Sequence, residues 1–218
     1  TQLNLGFGTG TSKMKFINSN LGFFYSGTII YKTVDGGSSW SNFDSGILLQ
    51  DIYFNDINHG WVVGYAGILK TVDGGATWSL NNNFPTSPFT KIAFKNNLIG
   101  IAVNEYNQIY LTNDGGTTWI TNNISMAPNQ TINDIKFIPN TNSVIFTATH
   151  NFEGTGFIFK STDNGVSWTN STDVGQIHSI HFADTNNGWI GSVSSIYKTN
   201  NGGISWTKVL VNSTQIGI

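Results

Sequence analysis

Thr71-Val72-Asp73-Gly74-Gly75-Ala76-Thr77-Trp78 decides the fold, because the chain writes this pattern five times. It returns at 33–40, 112–119, 161–168 and 199–206, with Asp35, Asp114, Asp163 and Asn201 in the third place and Trp40, Trp119, Trp168 and Trp206 in the last. Successive tryptophans stand 38, 41, 49 and 38 residues apart, and a period of about 20 to 50 residues marks stacked repeats. Each copy holds the parts of a tight turn. An Asp or Asn side chain can accept backbone N–H groups, the following glycines supply a left-handed backbone cheaply, and a tryptophan anchors the turn from behind. Burying such a ring removes about 150 to 250 Å² from water, worth about 4 to 6 kcal/mol at about 25 cal/mol/Å² as an upper estimate.

Working outward, an apolar-x-Phe triplet precedes every copy: Met14/Phe16, Ile52/Phe54, Ile92/Phe94, Ile135/Phe137 and Ile180/Phe182. Its period of two is one face of a strand. A second apolar run comes after a polar turn, as in Gly60-Trp61-Val62-Val63, and a third carries Ile30, Ile68, Ile109, Ile158 or Ile196 five residues before the motif's third position. The tryptophan opens a fourth, more polar strand. Four short antiparallel strands per unit, without helical periodicity, predict an all-β chain: a β-propeller of five four-stranded antiparallel blades in a single domain over 1–218. Residues 1–12 and 207–218 both resemble the fourth strand that each motif tryptophan opens. The first of them is therefore expected to be a closing or leftover strand, and a fragment of a larger propeller is an alternative. A ring that closes leaves no strand edge free and is expected to be monomeric.

Composition narrows the function. Ten lysines, no arginine, twelve acids and a net charge of −2 leave no basic stripe for phosphates, so no nucleic-acid partner is expected. The chain has no Cys, and no apolar run reaches the roughly 18 residues of a membrane helix, so no membrane insertion is expected. No targeting segment is visible after Thr1. Loops rich in Asn, Ser, Thr and Gly and poor in charge suggest a secreted or cell-surface protein of a bacterial cell.

The motif carboxylates could be read as metal ligands, but the five copies share turn chemistry rather than charge. Asn201 keeps the turn and removes the charge, whereas Ca²⁺ takes about six to eight oxygens. His59, His178 and His181 show no ligand spacing. No metal and no cofactor are expected.

The pattern Ser/Thr-x-Asp-x-Gly-x-Thr/Ser-Trp resembles the Asp-box, or BNR repeat, of sialidases, sortilin-type receptors and some glycoside hydrolases. With Ile52-x-Phe54, Gly60-Trp61 and Gly64 ahead of the box at 71–78, it is most similar to the propellers of the photosystem II assembly/stability factor family and their bacterial relatives. The resemblance covers essentially the whole chain and implies a propeller. Sialidases of this kind hold a carboxylate with three arginines, which a chain without arginine cannot supply. Xyloglucan hydrolases with Asp-boxes use a cleft between two propellers. Family members in photosystem assembly are similar to seven-bladed rings with a basic arginine patch; this chain has five boxes and no arginine.

A ligand is expected on the rim opposite the boxes, formed by the loops between strands two and three and between blades. Those loops carry the chain's two glutamates, Glu105 and Glu153, with Tyr106, His150 and Phe152. Paired carboxylates about 5 to 9.5 Å apart serve glycoside hydrolysis; two solvated loop glutamates are the plain alternative. Tyr25, Tyr65 and Tyr106 fall at comparable places in blades one to three, where aromatic rings bind neutral sugars or peptides. The reading is a non-catalytic recognition or scaffold module with a glycan or protein ligand. A glycoside hydrolase using Glu105 and Glu153 is the alternative.

Overall fold

The computed structural model describes residues 13–81, 88–124, 126, 129–150, 153–171 and 174–209. The expected closing strand at 1–12 lies outside them. Twenty strands form five four-stranded antiparallel sheets, each following chain order, the five blades of a propeller fold. Blade one is β1 (Met14–Phe16), β2 (Gly22–Ser26), β3 (Ile29–Thr33) and β4 (Ser41–Asp44). Blade two is β5 (Leu49–Phe54), β6 (Gly60–Gly64), β7 (Gly67–Thr71) and β8 (Ser79–Asn81). Blade three is β9 (Phe89–Phe94), β10 (Gly100–Asn104), β11 (Ile109–Thr112) and β12 (Ile120–Asn122). Blade four is β13 (Gln130–Phe137), β14 (Val144–His150), β15 (Gly156–Ser161) and β16 (Thr169–Ser171). Blade five is β17 (Ile177–Phe182), β18 (Gly188–Ser192), β19 (Ile196–Thr199) and β20 (Thr207–Val209). No strand pairs outside its own blade in these sheets. The chain forms two compact units, Thr1–Thr121 with blades one to three and Asn122–Ile218 with blades four and five.

The second strand is buried on both faces, which is why it reads as a continuous apolar run: β6 and β10 are buried at every position. The alternating first strands turn their Ile and Phe inward. Phe54 stacks on Phe23 at 3.9 Å between ring centroids, and Phe94 stacks on Trp61 at 3.6 Å, so the first-strand Phe joins its blade to the one before. Beside Phe54 only glycine can open the second strand, since a Cβ on Gly60 would lie 2.4 Å from the ring; blade four opens with Val144 instead.

Each first strand after blade one also carries a β-bulge at one place in the repeat. Gln50, Thr90, Asn133 and His178 are the extra residues, and the register shifts across them. The bulge turns the following residue, Asp51, Lys91, Asp134 or Ser179, onto a new face.

Candidate functional site

The five boxes are turns between the third and fourth strands, and in each the Asp or Asn of the third place is bonded within the turn. Thr71 Oγ1 donates to Asp73 Oδ1 at 2.8 Å and accepts the Gly75 N–H at 2.8 Å. Asp73 also accepts the Ala76 and Thr77 N–H groups at 3.0 and 2.9 Å and the Thr77 hydroxyl at 2.6 Å. In the fifth box the polarity of one bond reverses. Asn201 Oδ1 accepts the Ile204 and Ser205 N–H groups at 3.1 and 3.0 Å, while its Nδ2 donates to Ser205 Oγ at 2.8 Å. An amide thus keeps every bond of the turn without a charge.

These donors stabilise the carboxylate form. The Ser39 hydroxyl and N–H and then the Thr33 hydroxyl lower Asp35 to about 2. The Ser161 and Ser167 hydroxyls do the same for Asp163, also to about 2, and Thr77 holds Asp73 well below the usual range. Both carboxylate oxygens are occupied by the turn, which leaves the boxes a structural part. Their tryptophans are half-buried, so the burial reached is below the upper estimate for a fully enclosed ring. Trp40, Trp78, Trp119 and Trp206 stand edge-on to the first-strand Phe of their own blade, at centroid distances of 6.4, 6.0, 6.0 and 6.0 Å.

While its N–H groups bond within its own blade, to the Asp and Thr side chains and, from Gly74, to Asn58 O at 2.9 Å, the box turns its carbonyls toward the preceding blade. Trp61 Nε1 donates to Gly115 O at 3.0 Å, Asn81 Nδ2 to Gly116 O at 3.1 Å and Thr117 O at 3.0 Å, and Lys160 Nζ to Gly202 O at 2.7 Å. The motif is therefore also a lock between blades. The sequence carries a signal for it, a lysine just before the box at Lys32, Lys70, Lys160 and Lys198, with Leu111 as the exception.

A second polar set is one that motif reading misses. The residue before the first-strand Ile or Met reads Lys13, Asp51, Lys91, Asp134, Ser179. Asp51, its side chain 4% exposed, accepts Ile52 N–H at 2.8 Å, Ile92 N–H of the next first strand at 3.0 Å and Lys13 Nζ at 2.6 Å. Asp134 repeats the pattern with Ile135, Ile180 and Lys136. These carboxylates, Asp51 buried and Asp134 half-buried, have their partners and bridge neighbouring first strands.

The opposite rim behaves differently. In the first unit the turn after β6 exposes Tyr65 by 52% and the turn after β10 exposes Tyr106 by 68%. Leu48, whose carbonyl accepts the Tyr65 N–H at 3.0 Å, is 53% exposed. Glu105 stands exposed beside Tyr106, its N–H bonded to Pro88 O at 2.9 Å. Tyr25 does not join them. It points into the core between blades one and two, 2% exposed, and its hydroxyl donates to Gln50 O, because it lies within β2 whereas the other two tyrosines lie past their strands. In the second unit His150 ends β14, its Nδ1 accepts the Glu153 N–H at 3.2 Å, and the Glu153 carboxylate, on a side chain 70% exposed, stands 4.0 Å from the same nitrogen. Phe152 lies outside the described residues. Glu105 and Glu153 belong to different compact units.

His59 sits on the box rim, where Asp56 lies 2.9 Å from its Nδ1 and Asn97 bonds the same carboxylate at 2.8 Å. His178 and His181 lie along β17. Among the described residues no three His, Cys, Asp or Glu side chains gather as a metal site, and no helix is long and apolar enough to cross a membrane. A pocket of about 230 Å³ opens between blade one and the box of blade two, lined by Phe43, Lys32, Ala76 and Trp78 among others. Phe43 there occupies the place that Asn81 holds in blade two, and it has no amide to reach the next box's carbonyls.

The family model described as photosynthesis system II assembly factor YCF48 matches residues 1–122 and, in a second alignment, 42–169. No curated protein sequence matches the chain. Among solved structures, the GH74 enzyme of Niastella koreensis is 17% identical over 88% of this chain and 36% of its own, with a TM-score of 0.71. A streptogramin B lyase is 11% identical over 93% of this chain and 74% of its own, also at 0.71. A YCF48 bound to D1 peptide is 19% identical over 89% and 80%, at 0.47. The chain thus spans about a third of the GH74 enzyme, and the likenesses to that enzyme and to the lyase are likenesses of fold.

Proposed function

We propose, from the premise that this chain belongs to the photosynthesis system II assembly factor YCF48 family, that it is a non-catalytic recognition or scaffold module for a protein partner. An assembly factor works by holding another protein, and the surface suited to that is the rim opposite the boxes. The observation that carries the reading is the pair of exposed rings, Tyr65 and Tyr106, on neighbouring blades of one unit, with exposed Leu48 beside the first. Tyrosine is enriched in interfaces because it brings a large rigid apolar face and one polar tip. The box rim also exposes apolar side chains, Val34, Ile57, Val72 and Leu98 in the first unit, but among the described residues it exposes no tyrosine, and its Asp side chains are bonded within their own turns.

The glycan reading uses the same rings, since tyrosines also stack on neutral sugars. The hydrolase reading through Glu105 and Glu153 has less support, because an acid catalyst gains its raised pKa from burial and the Glu153 side chain is 70% exposed. Loops poor in charge and rich in Asn, Ser and Thr support a place outside the cell, which protease accessibility on intact cells tests directly.

The test of the function is a binding screen of the folded protein against a peptide array and a glycan array in parallel, with the Tyr65→Ala/Tyr106→Ala variant alongside. The expected result is peptide binding, weakened at least about tenfold in the variant. Binding confined to glycans and lost in the variant would replace the protein partner by a sugar. Binding untouched by the variant would remove this rim from the reading.

A further inference from the structure

We infer that the pocket between blade one and the box of blade two is a binding site for a primary carboxamide, carried by a glutamine or asparagine side chain of a peptide. The inference rests on equivalent positions in blades two and three and is independent of the reading of the opposite rim.

The third residue after the box tryptophan is Phe43 in blade one, Asn81 in blade two and Asn122 in blade three. Asn81 Nδ2 donates to Gly116 O and Thr117 O at 3.1 and 3.0 Å, and Asn122 Nδ2 donates to Gly165 O and Val166 O at 2.7 and 2.9 Å. In both places one amide nitrogen caps two successive carbonyls of the next box. The corresponding carbonyls of the second box are those of Gly75 and Ala76, and the side chain at the capping place is Phe43, which has nothing to donate. Among the described residues neither carbonyl accepts a hydrogen bond. Both residues line the pocket.

The rest of the lining suits the rest of such a group. Lys32 also faces the pocket. Its counterpart Lys160 donates from Nζ to Gly202 O at 2.7 Å, whereas Lys32 Nζ forms no hydrogen bond or ion pair among the described residues. The pocket therefore offers two acceptors and one cationic donor, with the rings of Phe43 and Trp78 in its wall. A primary carboxamide matches this set, having two N–H groups for the carbonyls and an oxygen for the ammonium. A carboxylate would set its lone pairs against two carbonyl oxygens, an amine would bring a second positive charge to Lys32, and a hydroxyl has one hydrogen for two acceptors. The volume of about 230 Å³ is several times the roughly 30 Å³ share of one water. It has room for a side chain, whose methylene groups the two rings cover.

Titration of the folded protein with N-acetylglutamine N-methylamide, followed by amide-resolved NMR, tests this, with the matching glutamate derivative and propionamide as separate arms. Saturable shifts are expected at the N–H groups of Ala76 and Thr77, which follow the two carbonyls. The glutamate derivative is expected to bind at least about tenfold more weakly. Tighter binding of the blocked glutamine than of propionamide assigns the carboxamide to a peptide side chain, and propionamide binding as tightly overturns that source. Phe43→Asn supplies the missing amide from within the chain and is expected to abolish binding, while Lys32→Met is expected to weaken it at least about threefold. Unchanged circular dichroism checks that each variant is folded, and if Phe43→Asn is not, Lys32→Met carries the test. No saturable shift, equal binding of the glutamate derivative, or wild-type-like binding by either folded variant overturns the proposal.

Discussion

In blade two, the turn after β7 and the turn after β6 lie on opposite rims and are built by opposite rules. After β7, both carboxylate oxygens of Asp73 are held by Thr71, Ala76 and Thr77, so the side chain is spent on its own turn. After β6, Tyr65 stands in solvent with its backbone N–H tied to Leu48. The first turn recurs five times because each blade has the same need to close a strand pair and lock onto a neighbour. The second differs from blade to blade because folding asks little of it, which leaves its side chains available for recognition.

That contrast can be broken most severely in the core. Trp61→Ala removes a fully buried ring that stacks on Phe94 and bonds Gly115; a loss of about 3 to 5 kcal/mol in urea denaturation is expected. Thr71→Val keeps the shape of a 1%-exposed side chain but strands the Gly75 N–H; about 1 to 3 kcal/mol should be lost.

Acid sharpens the contrast among the boxes themselves. Asp35 and Asp163 are lowered to about 2 when folded, below the roughly 3.9 of an unfolded aspartate. Their contribution is therefore complete above about pH 4 and lost as pH falls toward about 2. Asn201 does not titrate, so Asp163→Asn is expected to flatten the fall of melting temperature between those limits, with Asp163→Ala lowering stability at neutral pH as well. The smallest effect is expected on the opposite rim: Tyr65→Ala/Tyr106→Ala should change stability by no more than about 0.5 kcal/mol.

The fold is legible in the sequence because its turn is written in side chains. Asp, Gly, Gly and Trp return at fixed places, and the Ile and Phe of the first strand return with them. The bulges at Gln50, Thr90, Asn133 and His178 are not legible, since an extra residue in a strand is a matter of register and four different residue types serve. The alternation of Lys13, Asp51, Lys91 and Asp134 is visible in the sequence, but what it does depends on how the bulge aims each side chain. On the rim, residue type alone groups Tyr25 with Tyr65 and Tyr106, although it stands three residues after its strand-opening glycine and they stand five and six after theirs. That difference places it inside the strand, with its ring in the core. The division into two compact units has no compositional marker, because the repeat continues through it.

If the boxes hold the fold and the opposite rim holds the function, stability and binding must separate. The most direct test measures melting temperature and peptide-array binding together for Thr71→Val and for Tyr65→Ala/Tyr106→Ala. A lowered melting temperature with binding retained below it is expected for the first, and an unchanged melting temperature with binding lost for the second. A box variant that loses binding while keeping its stability, or a rim variant that unfolds early while still binding, would contradict this division of labour.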